Sequence, residues 1–256
     1  MYRLVRVLAR LALGVRRVPT YYLPWISRAG LECTLLLSNI ESRFRSRSGP
    51  GPFAVSARQY DGRGRLVREH AVELADHLDT AEMSLSCAPG GYGFVAVDVG
   101  QIQSDLYVTL CAGDSYTATH GRGEFVEHYP VWTRIVMAAI GRVLALAGLT
   151  IAAFARDQYV YVGADNRSHL LLMNLSNVTN RIRIRLTGGV VPWASRLAIL
   201  PPMGAYLLAL PSPALDDGTG LRVGRLRAEG NAWFNIYMVG TGARDLSGPL
   251  SLMHVK

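Results

Sequence analysis

With 256 residues, half of them hydrophobic, the chain can bury a sizeable core, which excludes a disordered or low-complexity polypeptide. Its 27 basic and 19 acidic residues leave a formal net charge of +8, which favours anionic partners but is silent on fold. The three cysteines, Cys33, Cys87 and Cys111, are an odd number with two in apolar runs, which points to reduced thiols and a cytoplasmic setting rather than a disulfide framework.

Residues 1–19 read as a basic amphipathic helix. Leu4, Leu8, Leu11 and Val15 fall on one face and Arg3, Arg6, Arg10 and Arg17 on another, the pattern of a helix lying on a membrane surface. Arg6 and Arg10 interrupt what would be the apolar core of a signal peptide. Pro19 and Pro24 are expected to end the element.

Residues 20–130 change to short strands. Residues 32–40 are aliphatic and close on Asn39; 43–51 form a Ser, Gly and Pro loop. Phe53, Val55 and Ala57 alternate with Ala54, Ser56 and Arg58, as in a half-buried strand, and a turn at 61–64 returns the chain through 67–74 as a hairpin. Residues 94–99 and 106–111 are two further strands.

An apolar stretch follows, 131–157, with Arg142 the only charge between Ile135 and Ala155. As a membrane span it is marginal: its Leu, Ile, Val and Phe residues contribute about 3–5 kcal/mol, against about 2.5–3.5 kcal/mol for a central arginine. Ala138, Gly141, Ala145, Gly148 and Ala152 recur on one helical stripe that admits another backbone closely. The expectation is a helix buried between the flanking segments or between subunits.

Residues 158–256 repeat the first strand segment in order. Residues 169–174 match 34–39, each an aliphatic run ending on Asn. Ile182, Ile184 and Leu186 match Phe53, Val55 and Ala57; 197–200 match 71–74; 233–239 match 106–112; and 251–254 are set against 125–128. The fold class expected is mainly all-β, two tandem antiparallel β-sandwich repeats (20–130 and 158–256) joined by an apolar helix.

Leu23-Pro24-Trp25, the aliphatic strand ending at Asn39, and the later strand with Asp114 and Thr119-His120 resemble the small β-sandwich family of sensory rhodopsin transducer proteins over residues 23–120. The resemblance implies a non-enzymatic, oligomeric binding sandwich. The basic helix, the connector and the second copy lie outside it.

The chemistry written in the sequence is sparse. His120, Glu124 and His128 have the even spacing that places three side chains on one face of a strand, about 13 Å between neighbours, so they could share a divalent metal only if Gly121 and Gly123 fold the segment back. Ser115 lacks the strand, elbow and helix context of a hydrolase nucleophile, and the Gly clusters at 90–93 and 218–224 lack a phosphate-loop ending. The Asn-X-Ser/Thr triplets at Asn166, Asn174 and Asn177 read as turn chemistry.

The functional expectation is therefore a non-catalytic binding or scaffolding protein, peripherally membrane-associated, that takes an anionic membrane surface, an acidic glycan or a protein partner and forms homo-oligomers. Its ligand-binding candidates are Trp25, Tyr60, Asp114, His120 and Trp132, aromatic and polar groups in or beside loops. The alternative is a metal-assisted enzyme on His120, Glu124 and His128, the only setting in which a cofactor is expected. No nucleic-acid recognition motif is present.

Overall fold

The computed structural model describes residues 12–40, 44, 51–87, 89–98, 106–121, 123–147, 149, 151–163, 167–188, 196–210, 221–241 and 250–255. The expected helix over 1–19 falls largely outside them, but its boundary moves. A strand, β1, begins at Arg16 and runs to Ile26. Both prolines sit inside it, each where only one neighbouring strand pairs: Pro19 opposite Phe125 and Pro24 opposite Phe94. A proline is tolerated where one side of the ladder is open.

The first half continues with β2 (Glu32–Ser38), β3 (Phe53–Asp61), β4 (Leu66–Leu74), β5 (Thr80–Ser84), β6 (Tyr92–Asp98), β7 (Leu106–Ala112), β8 (Ser115–Gly121) and β9 (Glu124–His128). One helix follows, α1 (Val131–Leu146). The second half comprises β10 (Phe154–Gly163), β11 (Arg167–Asn174), β12 (Asn180–Gly188), β13 (Arg196–Leu200), β14 (Ala205–Ala209), β15 (Leu221–Gly230), β16 (Phe234–Thr241) and β17 (Leu250–Val255). The connecting helix is thus shorter than the expected 131–157. Leu149 N–H closes on Leu144 C=O, and by Phe154 the chain is extended.

The strands form four antiparallel sheets, ordered β4-β3-β6-β1-β9, β5-β2-β7-β8, β10-β15-β12-β13 and β14-β11-β16-β17. Adding nine to each strand number converts the second sheet into the fourth, and the first, without β9, into the third. By this order 251–254 do not correspond to 125–128: β17 stands in the fourth sheet where β8 stands in the second, and among the described residues no strand of the second half stands where β9 does.

Alternation explains which faces are covered. In β3, Phe53, Val55 and Ala57 are buried while Ala54 and Arg58 are exposed, because only one side of that strand meets a core. The fourth sheet differs, with Leu170 to Met173 in β11 all fully buried. Leu170 and Leu172 close on Ile182, Ile184 and Leu226 of the third sheet. Leu171 and Met173 join Trp25, Phe94 and Val97 of the first half in the largest core. The two halves are therefore packed through one continuous apolar interior, with Asn235 Nδ2 donating to the Tyr22 hydroxyl at 2.7 Å across the junction.

Candidate functional site

The residues 174–180 (NLSNVTN) carry asparagines three apart, and each spends its side chain on backbone groups. Asn174 Nδ2 donates to Val178 and Pro201 carbonyls at 2.8 and 2.7 Å, and its Oδ1 accepts from Ser176 N–H. Asn177 clasps both backbone groups of Tyr129, Oδ1 accepting from N–H at 2.8 Å and Nδ2 donating to C=O at 2.9 Å. Asn180 Oδ1 accepts from Asn231 and Ala232 N–H groups while its Nδ2 donates to Ala232 C=O. The amides of Asn174 and Asn177 are thus committed to holding turns together, as the spacing suggested.

This clasp fixes α1. Tyr129 immediately precedes the helix, Thr133 Oγ1 donates to Leu13 C=O at 2.7 Å, and Met137 packs with Val15 on Tyr129, Val178 and Ala232. With 3.6 residues per turn, the side of α1 that carries Thr133, Met137, Gly141 and Leu144 is turned toward the 174–181 segment. The outward side bears Trp132, Val136, Ile140, Val143 and Leu146, with Ile135 at its margin toward the inner side, all exposed, Ile135 at 65%, Val143 at 66% and Leu146 at 91%. Of the two expected settings for the connecting helix, full burial between the flanking segments is not what the described residues show: they cover one side of it, and the outward side is apolar. Its charges are Arg134 and Arg142, with no acidic residue. Among the described residues no helix is long and apolar enough to cross a membrane.

Between the inner side of α1 and the clasped turns lies a half-open cleft of about 300 Å³. Ile135, Met137, Ala138, Leu144, Val178 and Ile151 make it predominantly apolar. Among the described residues its charged lining consists of Arg134 and Arg181, with no carboxylate. Arg181 is anchored through its own N–H, which donates to Asn231 Oδ1 at 2.6 Å, while its side-chain Nε is buried with no hydrogen-bond partner among the described residues. Its guanidinium lies against α1 at Gly141, where a Cβ would sit 2.6 Å from Nη1. A mid-helix glycine costs about 1 kcal/mol relative to alanine; here it leaves room for that cation. At Gly141 the stripe of small residues therefore receives a side chain rather than a second backbone.

The residues singled out from sequence are dispersed. Trp25 is buried and its indole N–H donates to Tyr60 C=O at 2.9 Å, while the Tyr60 ring stacks on Phe94 at 5.5 Å. These two are brought together, but as core. Asp114 is exposed in the turn between β7 and β8, and Trp132 lies on the outward side of α1 rather than in a loop. His120 belongs to β8 in the second sheet, its ring 6.2 Å from Tyr107, whereas Glu124 and His128 occupy the two ends of β9 in the first sheet. Among the described residues no three His, Cys, Asp or Glu side chains are grouped to hold a metal ion. Glu124 instead faces the Tyr22 hydroxyl and Arg156, whose Nη2 is 4.0 Å away. Cys33, Cys87 and Cys111 are free thiols, and burial pushes that of Cys33 up to about 12. Trp193, another aromatic residue beside an expected loop, lies outside the described residues.

His128 gives the junction a pH dependence. Burial lowers its pKa, the Arg58 cation lowers it further, and a hydrogen bond with the Leu175 backbone offsets part of the effect. A histidine with a folded pKa below its unfolded value near 6.5 contributes stability that is present above that value and lost as pH falls through the folded pKa. Urea midpoints measured at pH 7.5 and 5.0 are expected to differ less in His128→Gln than in the native chain. An equal difference would show that other groups carry the acid sensitivity.

No protein-family model matches the chain, and no curated protein matches it.

Proposed function

We propose that this chain is a non-catalytic binding protein, built by duplication of an antiparallel sandwich, that docks on an anionic membrane surface through the outward side of α1. The observation that carries the reading is the inverted polarity of that helix. A solvent-facing helix side is ordinarily polar, yet this one presents six large apolar residues, flanked by Arg142, on a helix with no acidic residue. Apolar side chains that enter the headgroup boundary, next to cations that meet anionic lipids, are the requirements for a helix lying in a membrane interface. The sequence adds to this: residues 1–17 contain Arg3, Arg6, Arg10, Arg16 and Arg17 and no acidic residue, and the Leu13 carbonyl of that stretch accepts a hydrogen bond from Thr133 on α1. Duplication is supported by the shared strand order of the two pairs of sheets. A binding role without catalysis also agrees with the resemblance of residues 23–120 to the sensory rhodopsin transducer family.

The test is flotation with vesicles containing phosphatidylglycerol. The native chain is expected to float at low salt and to be partly released by high salt, because each arginine near the surface contributes about 1 kcal/mol. Val136→Asp combined with Val143→Asp should cut the floating fraction at least tenfold while leaving the far-UV circular dichroism unchanged, since both side chains are exposed. Native protein that stays in the dense fraction, or a double variant that floats as well as native, overturns the reading. So does a native dimer that the same double variant dissociates without any flotation, which would make the helix a contact between copies.

A further inference from the structure

The inner side of α1 leads to a second conclusion, independent of whether the outer side meets a membrane. We infer that the cleft between α1 and the 174–181 turns binds a single-chain anionic amphiphile, its alkyl chain along the helix and its anionic head on Arg181. Three features support this.

The first is volume and lining. A cleft of about 300 Å³ lies at the lower end of the ~300–1,000 Å³ range of small-molecule sites, which are mostly apolar with a few placed polar groups. That capacity suits one short alkyl chain rather than a two-chain lipid. The second is the state of Arg181. A guanidinium has five N–H donors held in a fixed fork and binds carboxylate or phosphate oxygens in pairs. Among the described residues the Nε of Arg181 is buried without an acceptor, and none of those lining the cleft is a carboxylate that could supply one. A buried cationic donor without an acceptor is costly to leave unmade, and a ligand oxygen aligned with Nε satisfies it. Arg134, also on the wall, supplies a second positive charge toward the same space. The third is placement. Gly141 is the helix residue that permits the guanidinium to sit against α1, and the clasps by Asn177 and Asn180 hold the opposite wall in register before any ligand arrives. Preorganisation of this kind lowers the ordering cost of binding. The cleft also shares Ile135, Leu149 and Ile151 with the exposed apolar surface, so its mouth is continuous with that surface and an alkyl chain can enter without crossing polar ground.

The experiment is isothermal titration of the full-length chain with decanoate and, in parallel, decyl phosphate, each below its micellar range and with no bilayer present; decan-1-ol is the uncharged control. At least one anion is expected to bind with a stoichiometry of one and to exceed decan-1-ol by about tenfold or more, the margin of a charge-assisted hydrogen bond. The tighter of the two identifies the preferred head. Arg181→Met should bring the anion down to the level of decan-1-ol. Ala138→Phe, at an exposed helix position lining the cleft, fills it without touching the core and should abolish binding of all three with the circular dichroism unchanged. Failure of both anions to bind overturns the inference. Anion binding that survives Ala138→Phe, or that is as tight in Arg181→Met as in the native chain, overturns it as well. The flotation variants alter Val136 and Val143, neither of which lines the cleft, so the two proposals fail separately.

Discussion

Trp25→Ala is expected to lower the unfolding free energy by about 3–5 kcal/mol, the range for deleting a large buried aromatic side chain. Trp25 is 1% exposed in the largest core and is one of its largest fully buried side chains. Its indole N–H is the donor for Tyr60 C=O, and β6 passes close enough that Gly93 has no room for a Cβ, whose position lies 3.0 Å from the Trp25 Nε1. Trp25→Phe separates the two contributions: it keeps most of the apolar contact but leaves the Tyr60 carbonyl without its donor, a loss of about 1–3 kcal/mol. Urea unfolding followed by far-UV circular dichroism measures both. A Trp25→Ala midpoint within about 0.5 kcal/mol of native, the range of ordinary surface changes, would return the ring to the role of an exposed ligand platform.

The same residue shows where reading the sequence succeeds and where it stops. The strand pattern was legible because it rests on local alternation: 53–60, 67–74, 94–99 and 106–111 all lie within or overlap observed strands. The aliphatic runs ending on Asn39 and Asn174 are likewise visible in the sequence, and they fall in β2 and β11, which hold the same position in the strand orders of the second and fourth sheets. Trp25 was read as loop-borne because Pro24 beside it suggests a break, and only the pairing pattern, with one side of the ladder open at each proline, shows that the strand continues. β15 was missed for a related reason: arginines and glycines crowd the turn-like sequence 220–230, and its central place between β10 and β12 is a long-range fact. The set His120, Glu124 and His128 looked like one face of one strand, yet the chain changes sheets between β8 and β9, which no local period reveals. The cleft was half visible. The Gly141 stripe and the near absence of charge between Ile135 and Ala155 are plain, but Arg181 appears as one of several alternating arginines, and its meeting with Gly141 depends on a helix reached from 40 residues away in the chain.

Leu171→Asp is the other change with a large expected effect, because the fourth sheet has no solvent side in its centre. Leu171 is fully buried, paired with Leu207 and Tyr237, and belongs to the core contributed mainly by the first half. An aspartate there must either bury an unpaired charge or take up a proton, and the loss is expected to exceed about 4 kcal/mol, enough to abolish folding in a domain of ordinary stability. Leu171→Ala, which only creates a cavity, should cost about 2–5 kcal/mol and lower the stability of both halves together. The environment next to it is equally intolerant of charge: burial, and then the Glu124 carboxylate, hold the Tyr22 and Tyr237 phenols strongly neutral. Because this interior is shared, residues 154–256 expressed alone would expose Leu171, Met173, Tyr237 and Val239 as one patch, and that fragment is expected to aggregate. The decisive measurement is denaturant unfolding of Leu171→Ala followed by two probes, the helix signal at 222 nm and hydrogen exchange of the first-half strands. Coincident, equally shifted transitions would make the two halves one cooperative unit. A first half that keeps its native midpoint, or a fragment 154–256 that folds as a dispersed monomer, would show instead that each half closes its own core and that the packing of the fourth sheet on Trp25 and Phe94 adds little.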